Sequence, residues 1–390
     1  MPIHLLSVKK RTIIFLIYIS FALDSFLKLD FDIQIHLGLF LILIANGFFF
    51  IKKPFSIFSS IRADFIFPFF LFYCVLSGFF ISDSFYLGNT IYMFIALNVL
   101  VFCALTFKYW DDNFFYWFQI LMLLTGFIQY FIYKFAGVQI AFIDSSHYEK
   151  LSSVAHRLRG FYIEPNWFAI SLTFNTFLLF GRSPMAFAKK TPIVTFFTVM
   201  AMILNGTLTT LLILVLVYTI PLFKKNPFRA LLLLVLIGSV FIGAVSFRSA
   251  INVKEADKSV VNLSSRITPF LRVIEYQIDN SRFNQLFGNG FGSWGTLAVE
   301  NRLSALVHEQ DPAVRDGSEV PVILFELGFV GVMLIFFDNL RVYLRIDSND
   351  FHLRGAIILF CACLFLYPTF KFWMYMPYYF YIRRHSLCHL

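Results

Sequence analysis

SEVPVILFELGFVGVMLIFF, residues 318–337, decides how this chain is read. Beyond its first two positions it is apolar except at Glu326. Its length matches the roughly 20 residues a helix needs to cross the hydrocarbon core of a bilayer. Ten further stretches of similar character lie at residues 12–29, 33–51, 63–82, 86–107, 113–133, 161–180, 191–206, 208–223, 228–247 and 354–370. The eleven leave one sizeable hydrophilic segment, 248–317. The pattern predicts an all-α polytopic membrane protein, a single transmembrane domain over 1–390. Residues 248–317 then form one large extracytoplasmic loop, and no soluble catalytic domain fits in what remains.

Composition agrees. Hydrophobic residues make up 59% and charged residues 14%, against about 25% charged in soluble proteins. The 54 phenylalanines serve as leucine would against lipid. A net charge of +9 can signal nucleic acid, but its distribution follows membrane topology instead. Cys74, Cys103, Cys361, Cys363 and Cys388 lie mainly in apolar segments and show neither disulfide nor zinc spacing. Lys9, Lys10 and Arg11 precede the first apolar run without a cleavage-type site, so an uncleaved first span is expected. The tail from Lys371, rich in Tyr and interrupted by Pro377, reads as an interfacial aromatic segment, with a twelfth span left open.

With the N-terminus inside, sixteen basic residues face the cytoplasm. They are Lys9, Lys10, Arg11, Lys52, Lys53, Arg62, Lys108, Arg182, Lys189, Lys190, Lys224, Lys225, Arg229, Arg341, Arg345 and Arg354. The short outer connections carry Lys28 and, at 82–86 and 206–208, nothing, whereas 134–160 breaks this sparseness with Lys134, Lys150, Arg157 and Arg159. Cationic short loops resist translocation, so this bias sets the expected orientation. Polar chemistry then gathers on the outer side, in 134–160 and 248–317.

Four constellations stand out there. Arg157-Leu-Arg159-Gly160 leads to Glu164-Pro165-Asn166 at the start of the sixth span. Pro165 suits a first helical turn, and Glu164 then sits at the positive end of the helix dipole. This is either a capped helix flanked by interfacial arginines or a functional cluster, since ionisable groups at membrane depth tend to be functional. In Ser264-Ser265-Arg266-Ile-Thr268-Pro269, Thr268 and Pro269 read as N-cap and first position of a helix. Its stripe of Phe270, Leu271, Ile274 and Ile278 would lie on the outer membrane surface. Arg266, just ahead of that N-terminus, would suit phosphate oxygens, or pair with Glu255 or Asp257. Gly288-Asn-Gly290-Phe-Gly292 resembles a phosphate loop superficially, but lacks the following Lys-Ser, so tight turns are the expected use. Finally, Asp316-Gly317-Ser318-Glu319 leads into Glu326-Leu-Gly328-Phe-Val-Gly331. The glycines would admit another helix, and Glu326 would anchor internal hydrogen bonds. Asp316, Glu319 and His308 stand at the mouth, where a base could act.

Taken together, these segments resemble the bacterial O-antigen polymerase and ligase superfamily of polytopic glycosyltransferases. The resemblance rests on Arg157, Gly160, Pro165 and Asn166; Ser265 and Arg266; Gly288 and Gly290; and Glu326, Gly328 and Gly331, in order across residues 150 to 335. It departs where ligases carry a histidine before the tenth span, since Gly317 occupies that place, and this favours the polymerases. The resemblance implies an inner-membrane, inverting, metal-independent glycosyltransferase without cofactor. Its donor and acceptor would be glycans on undecaprenyl pyrophosphate, with a chain-length regulator as a further partner. Arg157, Arg159 and Arg266 would hold the pyrophosphate, and Glu164, Asp316 or His308 would take the acceptor proton. Pro165, Asn166, Ser265, Gly288, Gly290, Glu326, Gly328 and Gly331 would shape the site. A ligase, or a flippase of lipid-linked saccharides, is the alternative.

Overall fold

The computed structural model describes residues 2–22, 28–30, 34–52, 54–55, 62, 64–82, 87–138, 140, 157–162, 164–225, 228, 256–304, 309–311, 318–367 and 376–388. Helix follows helix throughout this range. They are α1 (Pro2–Ala22), α2 (Leu37–Lys52), α3 (Ile66–Phe80), α4 (Leu87–Thr106), α5 (Asp112–Ala136), α6 (Pro165–Phe180) and α7 (Pro184–Lys190). There follow α8 (Pro192–Asn205), α9 (Leu208–Lys225), α10 (Ala256–Asp279), α11 (Arg282–Phe287), α12 (Glu319–Arg345), α13 (Phe351–Leu366) and α14 (Met376–Cys388). One small departure from the all-α expectation is an antiparallel pair, Lys28–Asp30 with Gln34–His36, between α1 and α2.

Local chemistry sets many of these boundaries. Asp111 caps α5 by accepting from the Phe114 amide at 2.9 Å, and Gly137 closes the helix with a left-handed turn. Proline opens α6, α7 and α8, where its missing N–H is no loss. The axes of α7 and α8 bend by 119° at Thr191.

Three helical stretches among the described residues are long and apolar enough to cross a membrane: Thr90–Tyr109, Asp112–Ala136 and Glu319–Arg345. Apolar but shorter are α2, α3, α13 and Thr209–Thr219 of α9. Of the expected span 228–247, only Phe228 falls among the described residues. Large side chains on the outer faces, such as Phe72 and Phe79 of α3, Ile128 and Phe135 of α5, and Met333 and Phe336 of α12, are exposed. Apolar surface on this scale needs lipid or protein to cover it.

A chain of contacts sorts the bundle into two ends. The turn between α8 and α9 meets Arg157, ahead of α6. Arg182, beyond the far end of α6, pairs with Asp350 at 2.7 Å, just before α13. Helix α13 returns, and its Tyr367 carbonyl accepts the Glu319 amide that opens α12. Arg157, Glu164 and the start of α12 therefore share one end. The Arg11–Asp111 pair, the Arg182–Asp350 pair and Arg345 share the other.

Two sequence expectations are overturned. The helix thought to begin at Thr268 begins at Ala256, with Pro269 in its interior. An internal proline forfeits one hydrogen bond and crowds the preceding turn, yet the helix runs on through it to Asp279. The face it buries is Pro269, Val273 and Gln277, while Leu271 and Ile278 are exposed. Val273 packs with Trp294, Leu303, Val322 and Phe325 in a second apolar core against the first half of α12. Nor is the tail surface-bound: α14 packs against α4, α12 and α13, with Tyr378, Tyr379, Ile382 and Arg383 fully buried. Arg383 is why. Its guanidinium pairs with Asp64 and Asp338 and lies over the Phe67 and Tyr379 rings, so its charge is met inside.

Candidate functional site

The first part of the site is residues 157–166, folded across the ends of α5, α6 and α8. Arg157 Nε donates to the Asn205 carbonyl at 2.8 Å. Its Nη2 reaches Thr207 Oγ1 at 3.0 Å and Asn166 Oδ1 at 3.4 Å. Asn205 ties the rest together, donating from Nδ2 to the carbonyls of Leu158 and Pro165, both at 2.7 Å. Its Oδ1 accepts from the Thr207 hydroxyl at 2.6 Å, and Gly206 makes the left-handed turn between them. Arg159 is buried, and its amide donates to Gln129 Oε1 at 3.2 Å. Burial pulls its guanidinium down to about 10, with Tyr133 opposing the shift, and it remains charged at neutral pH. Gly160 lies against Thr125 and Gly126 of α5. Glu164 is the N-cap of α6, and its carboxylate makes no capping hydrogen bond to the helix. It stands where unpaired N–H groups favour negative charge.

The second part is a break in α12. Gly328 adopts φ 62°, ψ −163°, a conformation closed to other residues, and it separates two helical halves. A helix end leaves four carbonyls without partners, and here all four are met. Gln277 Nε2 donates to Leu324 at 2.8 Å, and the Asn289 amide to Phe325 at 3.0 Å. The Gly290 amide donates to Glu326 at 2.9 Å, and the Tyr73 hydroxyl to Leu327 at 3.1 Å. The Glu326 carboxylate returns the contact, its Oε1 accepting from the amides of Gly292 at 3.0 Å and Trp294 at 3.1 Å. A Cβ on Gly288 would overlap the backbone of residues 326 and 327, and one on Gly290 would overlap Ser82. This glycine segment is thus a clamp on a broken helix. Gly331, expected to admit another helix, is instead met by Leu327 of its own helix.

The other candidates fall differently. Ser265 and Arg266 lie inside α10 rather than ahead of its N-terminus. The phosphate site imagined from free N–H groups beside Arg266 therefore loses its helix end. His308, Asp316 and Gly317 lie outside the described residues. Ser318 is the N-cap of α12 and Glu319, its first residue, is fully buried. Asn205, Thr207, Gln277 and Asn289 escaped the sequence reading. A polar Asn-Gly-Thr joint between two apolar runs was the available signal for the first two.

Beneath the site, Gln119 donates to Thr198 Oγ1 at 2.9 Å and accepts from Asn175 at 2.7 Å, joining α5, α6 and α8 out of water. Such networks fix one packing arrangement because each partner is costly to leave unmet. A cavity of about 630 Å3 opens at the opposite end of the bundle, bordered by Arg182, Arg345, Asp350 and His352. The chain matches no known protein family and no curated protein.

Proposed function

We propose that this chain is an outward-facing membrane glycosyltransferase that polymerises glycan repeat units carried on a polyprenyl pyrophosphate. The observation that carries this reading is the gathering of Arg157, buried Arg159, the start of α6 with Glu164, and the start of α12 at one end of an apolar bundle. In it, the pyrophosphate leaving group gains negative charge as the sugar bond breaks. Arginines fixed in advance stabilise that charge as it develops, with Arg266 as a third candidate. Glu164, Asp316 or His308 removes the proton of the accepting hydroxyl. The resemblance in motif order supports this reading, as does the paucity of basic residues in the short outer connections, which puts the Arg157 end outside the cytoplasm.

A broken helix also suits a transporter, where unwound carbonyls coordinate the cargo. Here the four carbonyls before Gly328 are spent on Gln277, Asn289, Gly290 and Tyr73, which favours the enzyme. The deciding experiment is a gel of surface glycan from cells with and without this chain. A ladder collapsing to a single repeat supports the polymerase. Core without any repeat points to a ligase, and an unchanged ladder ends the proposal. Arg157→Ala should reproduce the collapse while the protein still reaches the membrane.

A further inference from the structure

A cleft of about 750 Å3 opens beside the second apolar core, at the same end of the bundle as Arg157. One wall is the last turns of α10, where Glu275 and Asp279 are four residues apart and so share a helix face. Tyr276, between them, is half-buried and backed by Phe325, with ring centroids 5.4 Å apart. Glu300, Asn301 and Arg302 form the facing wall, and buried Leu303 lines the floor.

The facing wall is held in an unusual shape. Arg302 has φ 56°, the one non-glycine residue with positive φ among those described. Arg272, from α10, donates through Nη1 to the Arg302 carbonyl at 2.9 Å and ties the two walls together. The Arg302 and Leu303 amides close back onto Val299 and Ala298 at 3.0 and 2.8 Å. Strained backbone persists only where its surroundings over-determine it.

The lining narrows the ligand class. Three carboxylates and two guanidiniums line the cleft, so a phosphate-like anion meets acidic side chains and a multivalent cation meets arginines. Among the described residues, no three acidic, His or Cys side chains converge closely enough to hold a metal ion. Carboxylate, guanidinium and amide groups each offer two in-plane positions, which match adjacent hydroxyls. Tyr276 and Leu303 add apolar surface for a ring's C–H face. The volume lies within the roughly 300–1,000 Å3 of small-ligand clefts.

We propose that this cleft is a saccharide subsite that grips a hydroxyl-rich glycan during chain extension. Its role in extension rests on the function proposed above, whereas saccharide binding is measurable without it. The full chain is placed in lipid nanodiscs. The probe is the soluble oligosaccharide that mild acid releases from the surface glycan of the producing cells, followed by saturation-transfer NMR. Glycan signals should appear with the native chain and weaken at least tenfold in Asp279→Ala/Glu300→Ala, two exposed positions, with an unchanged thermal midpoint. In cells, that variant should give shorter ladders rather than none. Equal signals from both chains, or none from the native chain, overturn the subsite. Signals lost only because the variant unfolds would show as a lowered midpoint, and the single variant Glu300→Gln then decides: retained native signal overturns the subsite, weakened signal supports it. If removing the chain leaves the ladder intact while the cleft still binds glycan, the polymerase reading falls and the subsite stands.

Discussion

Glu326 and Asp338 sit twelve residues apart on α12, both hidden from solvent, and they are satisfied in opposite ways. Backbone amides of a glycine loop hold Glu326. Asp338 is held by Arg341 from its own helix, at 3.0 Å, and by Arg383 from α14, at 2.6 Å. Asp64 joins the same cluster through Arg341 at 3.2 Å and through Arg383. At the end carrying Arg157, then, a loop is shaped around a carboxylate. At the far end, two distant segments are drawn together by opposite charges. The first device sets the geometry of a surface, and the second sets which helices belong together.

Removing the guanidinium from the far cluster should have the largest effect. Arg383→Ala leaves two buried carboxylates sharing Arg341, and breaking a buried pair costs about 3–5 kcal/mol. The thermal midpoint in detergent should fall steeply. Arg383→Lys should fall between, because an ammonium cannot bridge two carboxylates as a planar fork does. A native midpoint in Arg383→Ala would mean that α14 is held by its aromatic packing alone.

Next comes Gly328→Ala. The added Cβ meets the Leu286 carbonyl, and the dihedral pair is closed to alanine, for a loss of about 3 kcal/mol. Glu326→Ala strands the Gly292 and Trp294 amides at about 2 kcal/mol, whereas Glu326→Gln keeps an acceptor and should cost less. If both Glu326 variants matched in midpoint, the carboxylate would not be organising the loop. Amide hydrogen exchange at residues 290–294 distinguishes local loosening from global loss.

The smallest effect belongs to the exposed Arg182–Asp350 pair, which salt should screen. Arg182 holds the Asp350 carboxyl below the usual carboxylate range. A depressed folded value stabilises the fold above the unfolded pKa, about 3.9, and that contribution disappears as pH falls through the folded value. Asp350→Asn should therefore differ most from the native chain at low salt above about pH 4, and the difference should fade as pH falls through the folded value.

Part of the helical order was readable, because proline acts locally: Pro165 marks a real boundary. The same local reasoning failed at Pro269, where a favoured helix start proved to be a helix interior. Burial of α14 could not be read from its polar, aromatic sequence. It depends on Arg383 meeting Asp64, 319 positions earlier in the chain. Around Arg157, the residue type was visible, whereas its partners Asn205 and Thr207 come from a different hairpin.

The buried Arg383 has a consequence for biogenesis. Asp64 and Asp338 leave the ribosome before the residue that neutralises them both. Until α14 docks, Arg341 is the one cation paired with these two carboxylates among the described residues. Packing of the bundle should therefore finish only once α14 has been made, and chains stalled before α14 should be prime substrates for membrane proteases.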